Sequence, residues 1–194
     1  MSPLAVVILA AGEARRFGSA KQLAQVQGKP MLQHVLETCQ RLDKAHLFVV
    51  LGAKGEEIQS QLKIDKHQII SNPEWQEGIS SSVRAATKQL ETKYQAILFV
   101  AGDQPLILEE QLKKLIIKWQ ESPDLMCAAS YMDTVGVPAI FPQPFFAKLL
   151  ELQGDRGAKK VLVENSHSVQ LLEIPEAAID IDHPANISCL DMPI

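Results

Sequence analysis

Cysteine is scarce in this chain of 194 residues, with only Cys39, Cys127 and Cys189 present. There is no Cys-x-x-Cys pair and no histidine at zinc-binding spacing, which excludes a disulfide framework and a small zinc module and points to a reducing compartment. The histidines form no cluster either: His34 and His67 flank regular elements and His183 stands beside Asp182, so surface or capping roles are expected. Long apolar runs are missing, and none approaches the length of a membrane span. The opening MSPLAVVILAAGEARRFG has no basic residue ahead of its apolar part and runs on into glycine and arginines, so it reads as a first strand rather than a secretory leader. A basic stripe is also missing. Lys+Arg number 19 against 23 Asp+Glu, a net charge of −4 that argues against a nucleic-acid partner. The expectation is a cytoplasmic protein with no membrane or nucleic-acid partner. Without a repeat, a low-complexity tract or a long linker, residues 1–194 are expected to form a single domain.

What is present alternates between short apolar runs and longer amphipathic ones. Strands are expected at 5–9, 46–51, 68–70, 96–101, 125–130 and 137–141. Between them fall helices at 55–62, 80–90, 109–119, 143–152 and 158–164. Another helix has Pro30 at its first position, with Met31, Leu32, Val35, Leu36, Cys39 and Leu42 on one face. Strands buried on both faces and alternating with helices predict an α/β fold. Its sheet should be open, doubly wound, Rossmann-like and mainly parallel, with helices on both faces. Ligands in such sheets bind beyond the carboxyl ends of the strands. The loops to inspect are therefore 10–22, 52–55, 71–80, 102–107, 131–137 and 180–184.

The first of these loops carries LAAGEARRFGSAKQL over residues 9–23. A Walker loop is excluded, because Gly12 and Gly18 are separated by five residues rather than four and Ser19 follows; Gly-x-Gly-x-x-Gly is absent too. Small residues Ala10, Ala11 and Gly12 after Leu9 let a ligand approach the backbone, and exposed amides in such a loop attract an anion. Arg16 offers a planar fork to the same anion and Lys21 a point charge. An ordinary glycine turn with solvated cations is the competing reading. Asp103 follows ILFVAG at a strand's carboxyl end, where it fits either a metal ligand or a turn aspartate. Asp180 and Asp182 share a strand-like alternation, while Asp182 would equally cap a short helix over 185–190. Gly78, Ser80 and Ser81 open a helix, where free amides and hydroxyls suit either a ligand or N-capping. Trp75 reads as core or pocket wall, Arg84 as facing site or solvent, and Cys39 and Cys127 as core.

The pattern LAAG-x3-R-x-G-x2-K resembles the signature of nucleotidyltransferases built on a doubly wound α/β domain, the nucleotide-diphospho-sugar transferase-like fold. That group includes molybdenum cofactor guanylyl- and cytidylyltransferases, methylerythritol phosphate cytidylyltransferase and sugar-phosphate nucleotidyltransferases. NPEWQEGISSSVRAA (72–86) is similar to the N-x-x-W-x-x-G-[IM]-x-x-S segment of molybdenum cofactor cytidylyltransferases. AGDQP (101–105), VGVPAIF (135–141), QGDRGAKKVL (153–162) and DIDHP (180–184) resemble further segments of the same enzymes, in the same order. Lys159 stands where many of those enzymes have arginine.

The resemblance implies attack by an acceptor phosphate on the α-phosphorus of an NTP, with pyrophosphate leaving. It implies Mg²⁺, or Mn²⁺ in its place, held by Asp103 and Asp182. Leu9, Ala10, Ala11, Gly12, Arg16, Lys21, Gly78, Ser80 and Ser81 would bind the nucleotide, with Arg16, Lys21 and Asp103 taking part in catalysis. Gly136, Pro138, Asp155 and Arg156 would face the acceptor. Alanine at position 11 goes with the cytidylyl members, so CTP is the implied donor and a molybdopterin-type phosphate the acceptor, the product passing to a molybdenum dehydrogenase. Three rivals stand beside this: a guanylyltransferase using GTP, a cytidylyltransferase for a sugar or polyol phosphate, and a non-catalytic carrier of the finished cofactor.

Overall fold

The computed structural model describes residues 3–13, 20–43 and 46–181. Nine strands occur in it: β1 Leu4–Leu9, β2 Gln25–Val26, β3 Lys29–Pro30, β4 Leu47–Leu51, β5 Ile69–Ser71, β6 Ala96–Ala101, β7 Met126–Tyr131, β8 Thr134–Pro142 and β9 Val169–Glu173. The helices are α1 Met31–Asp43, α2 Gly55–Leu62, α3 Ile79–Leu90, α4 Glu109–Gln120, α5 Phe146–Leu150 and α6 Lys159–Glu164. Seven strands form one sheet in the order β5-β4-β1-β6-β8-β7-β9, while β2 and β3 form a separate small hairpin. Only β8 runs against the others in the large sheet, pairing antiparallel with both β6 and β7. The expected doubly wound, mainly parallel sheet is therefore present.

Alternation along β1 explains how one strand joins two layers. Val6 and Ile8 pack into a core with Leu32, Val35 and Leu36 of α1 and Leu112 and Leu115 of α4. Ala5, Val7 and Leu9 point the other way, into a core with Val83 and Leu90 of α3, Leu149 of α5 and Val161 of α6. A strand buried on both faces has no room for polar residues, which is why LAVVIL is continuously apolar. Each fully buried Val, Leu or Ile side chain in it contributes about 1.5–3 kcal/mol of transfer free energy. Cys39 and Cys127 are fully buried in the first of these cores, and burial pushes their thiols up to about 12 and about 11. Both read correctly as packing residues rather than nucleophiles.

Differences from the expected elements have local causes. Pro30 lies in β3, paired with Gln25, and α1 begins one residue later. The helix expected over 143–152 is divided into a 3-10 turn, Gln143–Phe145, and the short α5. Strand β9 is an edge strand, half-exposed along its length, and lacks the apolar density that marks the others. Among the described residues no helix is long and apolar enough to cross a membrane.

The connection from β1 leads out to β4 and β5 on one side, whereas β6 lies on the other side of β1. The carboxyl ends of β1 and β6 thus meet at the point where the winding reverses, the usual place for a ligand crevice in an open α/β sheet.

Candidate active site

The backbone leaving β1 is held from three sides. The Gly102 amide donates to the Leu9 carbonyl at 3.0 Å, and the Ala53 amide to the Ala11 carbonyl at 3.1 Å. Gln22 Nε2 donates to the carbonyls of both Ala10 and Gly12, each at 2.9 Å. Every carbonyl from Leu9 to Gly12 is therefore turned into the protein. The amides of Ala11 and Gly12 have no acceptor among the described residues. Successive unpaired amides at a strand end make an anion-binding concavity. Space is open beside them, since a Cβ on Gly12 would meet nothing within 4 Å. Gly102 and Gly52 show the opposite condition. A Cβ on Gly102 would lie 3.0 Å from the Leu9 carbonyl oxygen, and one on Gly52 would lie 2.9 Å from that of Ala11 and 2.6 Å from Trp75 Cβ.

Lys21 and Asp103 meet across this loop, with Nζ 2.9 Å from Oδ2. The lysine side chain is 11% exposed and the aspartate 32%, so the cation lies deep and the carboxylate is open to the cleft. A cavity of 410 Å³ runs from here along Ala11, Gly12 and Asp103 to Trp75, Gly78 and Ser82. A second of 240 Å³ adjoins it around Lys21 and Gln22, sharing Leu9, Gly12 and Asp103. Arg16 and Asp182 lie outside the described residues. Ile181, the residue before Asp182, gives its amide to the Asp103 carbonyl at 3.2 Å. Gln104, buried beside Asp103, holds the Ala177 carbonyl at 2.8 Å and Asp180 Oδ1 at 3.0 Å.

The far wall is the turn before α3. Asn72 is buried, and its Nδ2 donates to Ser81 Oγ at 2.8 Å and Ser82 Oγ at 3.0 Å, while its Oδ1 accepts from the Glu74 amide at 3.0 Å. Ser81 Oγ donates in turn to the Gly78 carbonyl at 2.8 Å, and Ser80 Oγ accepts from the Gly157 amide at 3.3 Å. These two serines are thus engaged internally. Neither caps α3, whose first residue is preceded by Gly78 with no side-chain cap. The serine lining the cavity is Ser82. With Asn72 donating to its oxygen, its hydroxyl hydrogen is left for a bound molecule. Ser82 is the last residue of N-x-x-W-x-x-G-I-x-x-S in this sequence, so the motif itself carried the signal. Gln22 is the other functional side chain not anticipated; its mark is a buried amide next to a cleft lysine.

Asp155 lies at the cavity against Gly78, whose backbone is at φ +113° and ψ −175°. Arg156 is exposed, and neither it nor Gly136 and Pro138 lines the two cavities. Gly136 makes room for a neighbour, because a Cβ there would lie 2.3 Å from Tyr131 Oη. Burial raises the Tyr131 hydroxyl pKa, and the Asp180 carboxylate adds to the rise. Trp75 is a wall of the cavity and packs against the core beneath it.

Arg84 faces neither site nor open solvent; it clasps two segments together. Its Nη1 donates to Glu77 Oε1 and to the Leu152 carbonyl, both at 2.7 Å, and its Nη2 to Glu74 Oε2 at 3.1 Å. The Gly154 amide reaches Glu77 Oε1 at 3.3 Å. The Arg84 hydrogen bonds hold the Glu77 carboxyl below the ordinary glutamate range. A carboxyl depressed in the folded state stabilises the fold above its unfolded pKa, and that stabilisation is lost as pH falls through the folded value. Wild-type denaturation midpoints should therefore decline in acid more steeply than those of Glu77→Gln, measured as urea midpoints against pH. Equal slopes would remove Glu77 from the acid response.

Unpaired loop amides, a lysine–aspartate pair and a serine wall thus lie together at the crossover of a doubly wound α/β sheet. The model of the MobA-like NTP transferase domain matches residues 6–169, and the chain belongs to that family of nucleotidyltransferases. The bifunctional protein GlmU of Methylobacillus flagellatus is 36% identical over 117 residues, which cover 59% of this chain and 25% of that protein. The chain thus spans about a quarter of that curated relative. The crystal structure of Rv0371c from Mycobacterium tuberculosis in complex with manganese superimposes with a TM-score of 0.81 at 23% identity, covering 97% of each chain. Molybdopterin-guanine dinucleotide biosynthesis protein A from Archaeoglobus fulgidus gives a TM-score of 0.70 at 18% identity, covering 96% of each. Both structural likenesses are likenesses of fold.

Proposed function

We propose that residues 1–194 act as one catalytic unit that transfers CMP from CTP to the phosphate of a molybdopterin-type acceptor, releasing pyrophosphate and leaving a cytosine dinucleotide. The observation that carries this reading is the pair of unpaired Ala11 and Gly12 amides at the cavity lined by Asp103 and Ser82, with Lys21 reaching Asp103 from the adjoining one. Its 410 Å³ is within the usual range for a small-molecule site. CTP is favoured over GTP by the segment resemblances around Ala11 and 72–86, and the acceptor by those at 135–141 and 153–162.

A phosphomonoester is mostly dianionic at neutral pH, so one of its oxygens can attack the α-phosphorus without a protein base. The bond from α-phosphorus to the bridging oxygen breaks, and pyrophosphate leaves with its electron pair. The chain has to bring two anions together and neutralise charge on the leaving group. The loop amides bind phosphate oxygens, and Lys21 gives up its contact with Asp103 to meet the same charge. The Asp103 carboxylate, open to the cleft, suits a divalent cation that shares its coordination with phosphate oxygens and water, and Asp182 would be its second carboxylate. Such a cation, Mg²⁺ or Mn²⁺, would supply positive charge that offsets the repulsion between donor and acceptor phosphates. The manganese complex of Rv0371c supports divalent metal use. A cytoplasmic location and delivery of the product to a molybdenum dehydrogenase complete the reading.

The test is pyrophosphate release by the purified protein with Mg²⁺, using CTP or GTP, with and without molybdenum cofactor. Release that requires the cofactor and prefers CTP is the expected result. Preference for GTP would reassign the base. Absence of release with either nucleotide, in folded protein that binds CTP, would turn attention to a sugar or polyol phosphate acceptor and then to a carrier.

A further inference from the structure

We infer that Gln22 is a positioning residue that gives the opening loop its affinity for phosphate. The inference rests on reading the cleft as a nucleotide site, and assigns a role there to a side chain whose donor nitrogen is spent on the loop backbone. Gln22 is 6% exposed and lies in the 3-10 turn Lys21–Leu23. In that turn Lys21 reaches Asp103, while Gln22 reaches back to the strand end. One nitrogen with two hydrogens bridges the carbonyls of Ala10 and Gly12, two residues apart, at 2.9 Å each.

The arrangement is specific to a carboxamide. A carbonyl that turned toward the cleft would present negative charge to a phosphate, and, of the four from Leu9 to Gly12, Gln22 holds two away from it. The other two are held by the amides of Gly102 and Ala53. With all four fixed, the Ala11 and Gly12 amides, without an acceptor among the described residues, are left at the cavity for an anion. The same two bonds tie residue 22 to residues 10 and 12, which fixes the base of the Lys21 side chain. Methionine has similar length and volume but no donor, and glutamate would set carboxylate oxygens against two carbonyl oxygens.

The test compares wild type with Gln22→Met for binding of inorganic pyrophosphate, CTP, GTP and cytidine by calorimetry. It also follows the backbone amide resonances of Ala11 and Gly12 in wild type as pyrophosphate is added. The expected result is that both amide resonances move, and that Gln22→Met weakens pyrophosphate and CTP roughly ten- to a hundredfold while cytidine binds as before. A merely structural role would weaken all ligands alike or none. Equal pyrophosphate affinity in the variant would overturn the inference. So would wild-type binding that leaves the two amides unmoved, a result that needs no folded variant. Wild type that binds pyrophosphate through these amides but neither CTP nor GTP would uphold the role of Gln22 and sink the proposed function instead.

Discussion

Asp103→Asn should abolish nucleotidyl transfer while leaving the fold intact. The residue lies at the end of β6, outside both apolar cores, with its carboxylate one-third exposed to the cleft. Asparagine keeps the shape but removes the charge that a divalent cation requires and that Lys21 pairs with. Loss of one such electrostatic element from a preorganised site lowers kcat roughly 10²–10³-fold. The rate of pyrophosphate release measures that loss, Mn²⁺ titration followed by electron paramagnetic resonance measures cation binding, and circular dichroism checks the fold. Near-normal turnover would rule out Asp103 as the metal carboxylate. A carrier of finished cofactor would tolerate the change, so the same variant separates enzyme from carrier.

Gly78→Ala should damage the opposite wall nearly as severely. The backbone at φ +113° and ψ −175° belongs to a region open essentially to glycine alone. A Cβ would also fall 1.9 Å from Asp155 Oδ1 and 2.9 Å from the Gly154 carbonyl oxygen. The carboxylate can swing aside, but the carbonyl belongs to the segment that Arg84 and Glu77 hold in place. Strain of about 1–3 kcal/mol is expected, visible as a lower urea midpoint. Because Gly78 and Asp155 both line the cavity, KM for the nucleotide should rise by about tenfold or more, on the scale of 1.4 kcal/mol per decade. Adding Asp155→Ala would relieve the side-chain clash and leave the backbone strain, so the double variant should recover binding more than stability. Unchanged KM and midpoint in Gly78→Ala would show that this turn adapts freely.

Much of this was legible because strands and cleft residues leave different marks. Continuous apolar runs such as AILFVA identify buried strands, and the chemistry that follows them falls at one edge of the sheet. Direction is not written in such a run, so nothing in VPAIF distinguishes the reversed β8 from its parallel neighbours. Strand β9 escaped because an edge strand needs little apolar surface. The β2–β3 hairpin escaped because two residues per strand carry no period. At the site, the sequence pointed to Lys21, Asp103 and Gly78, which the fold brings to one cleft. Residue type alone could not tell Ser82 from Ser80 and Ser81. That distinction depends on which hydroxyls Asn72, Gly78 and Gly157 already occupy.

The reversed strand also separates two design problems. On the β1–β6 side, the cleft edge is made where parallel strands finish, and those ends are locked to one another through Leu9, Ala11 and Gly102. On the other side, β7 and β8 are joined by a tight turn in which Met132 and Asp133 both have positive φ. A turn of that kind tolerates insertion, because its residues are exposed and it adds nothing to either apolar core. Descendants of such a chain can therefore remodel what approaches from the β7–β8 side without disturbing the locked strand ends, one half of the edge drifting while the other is held constant.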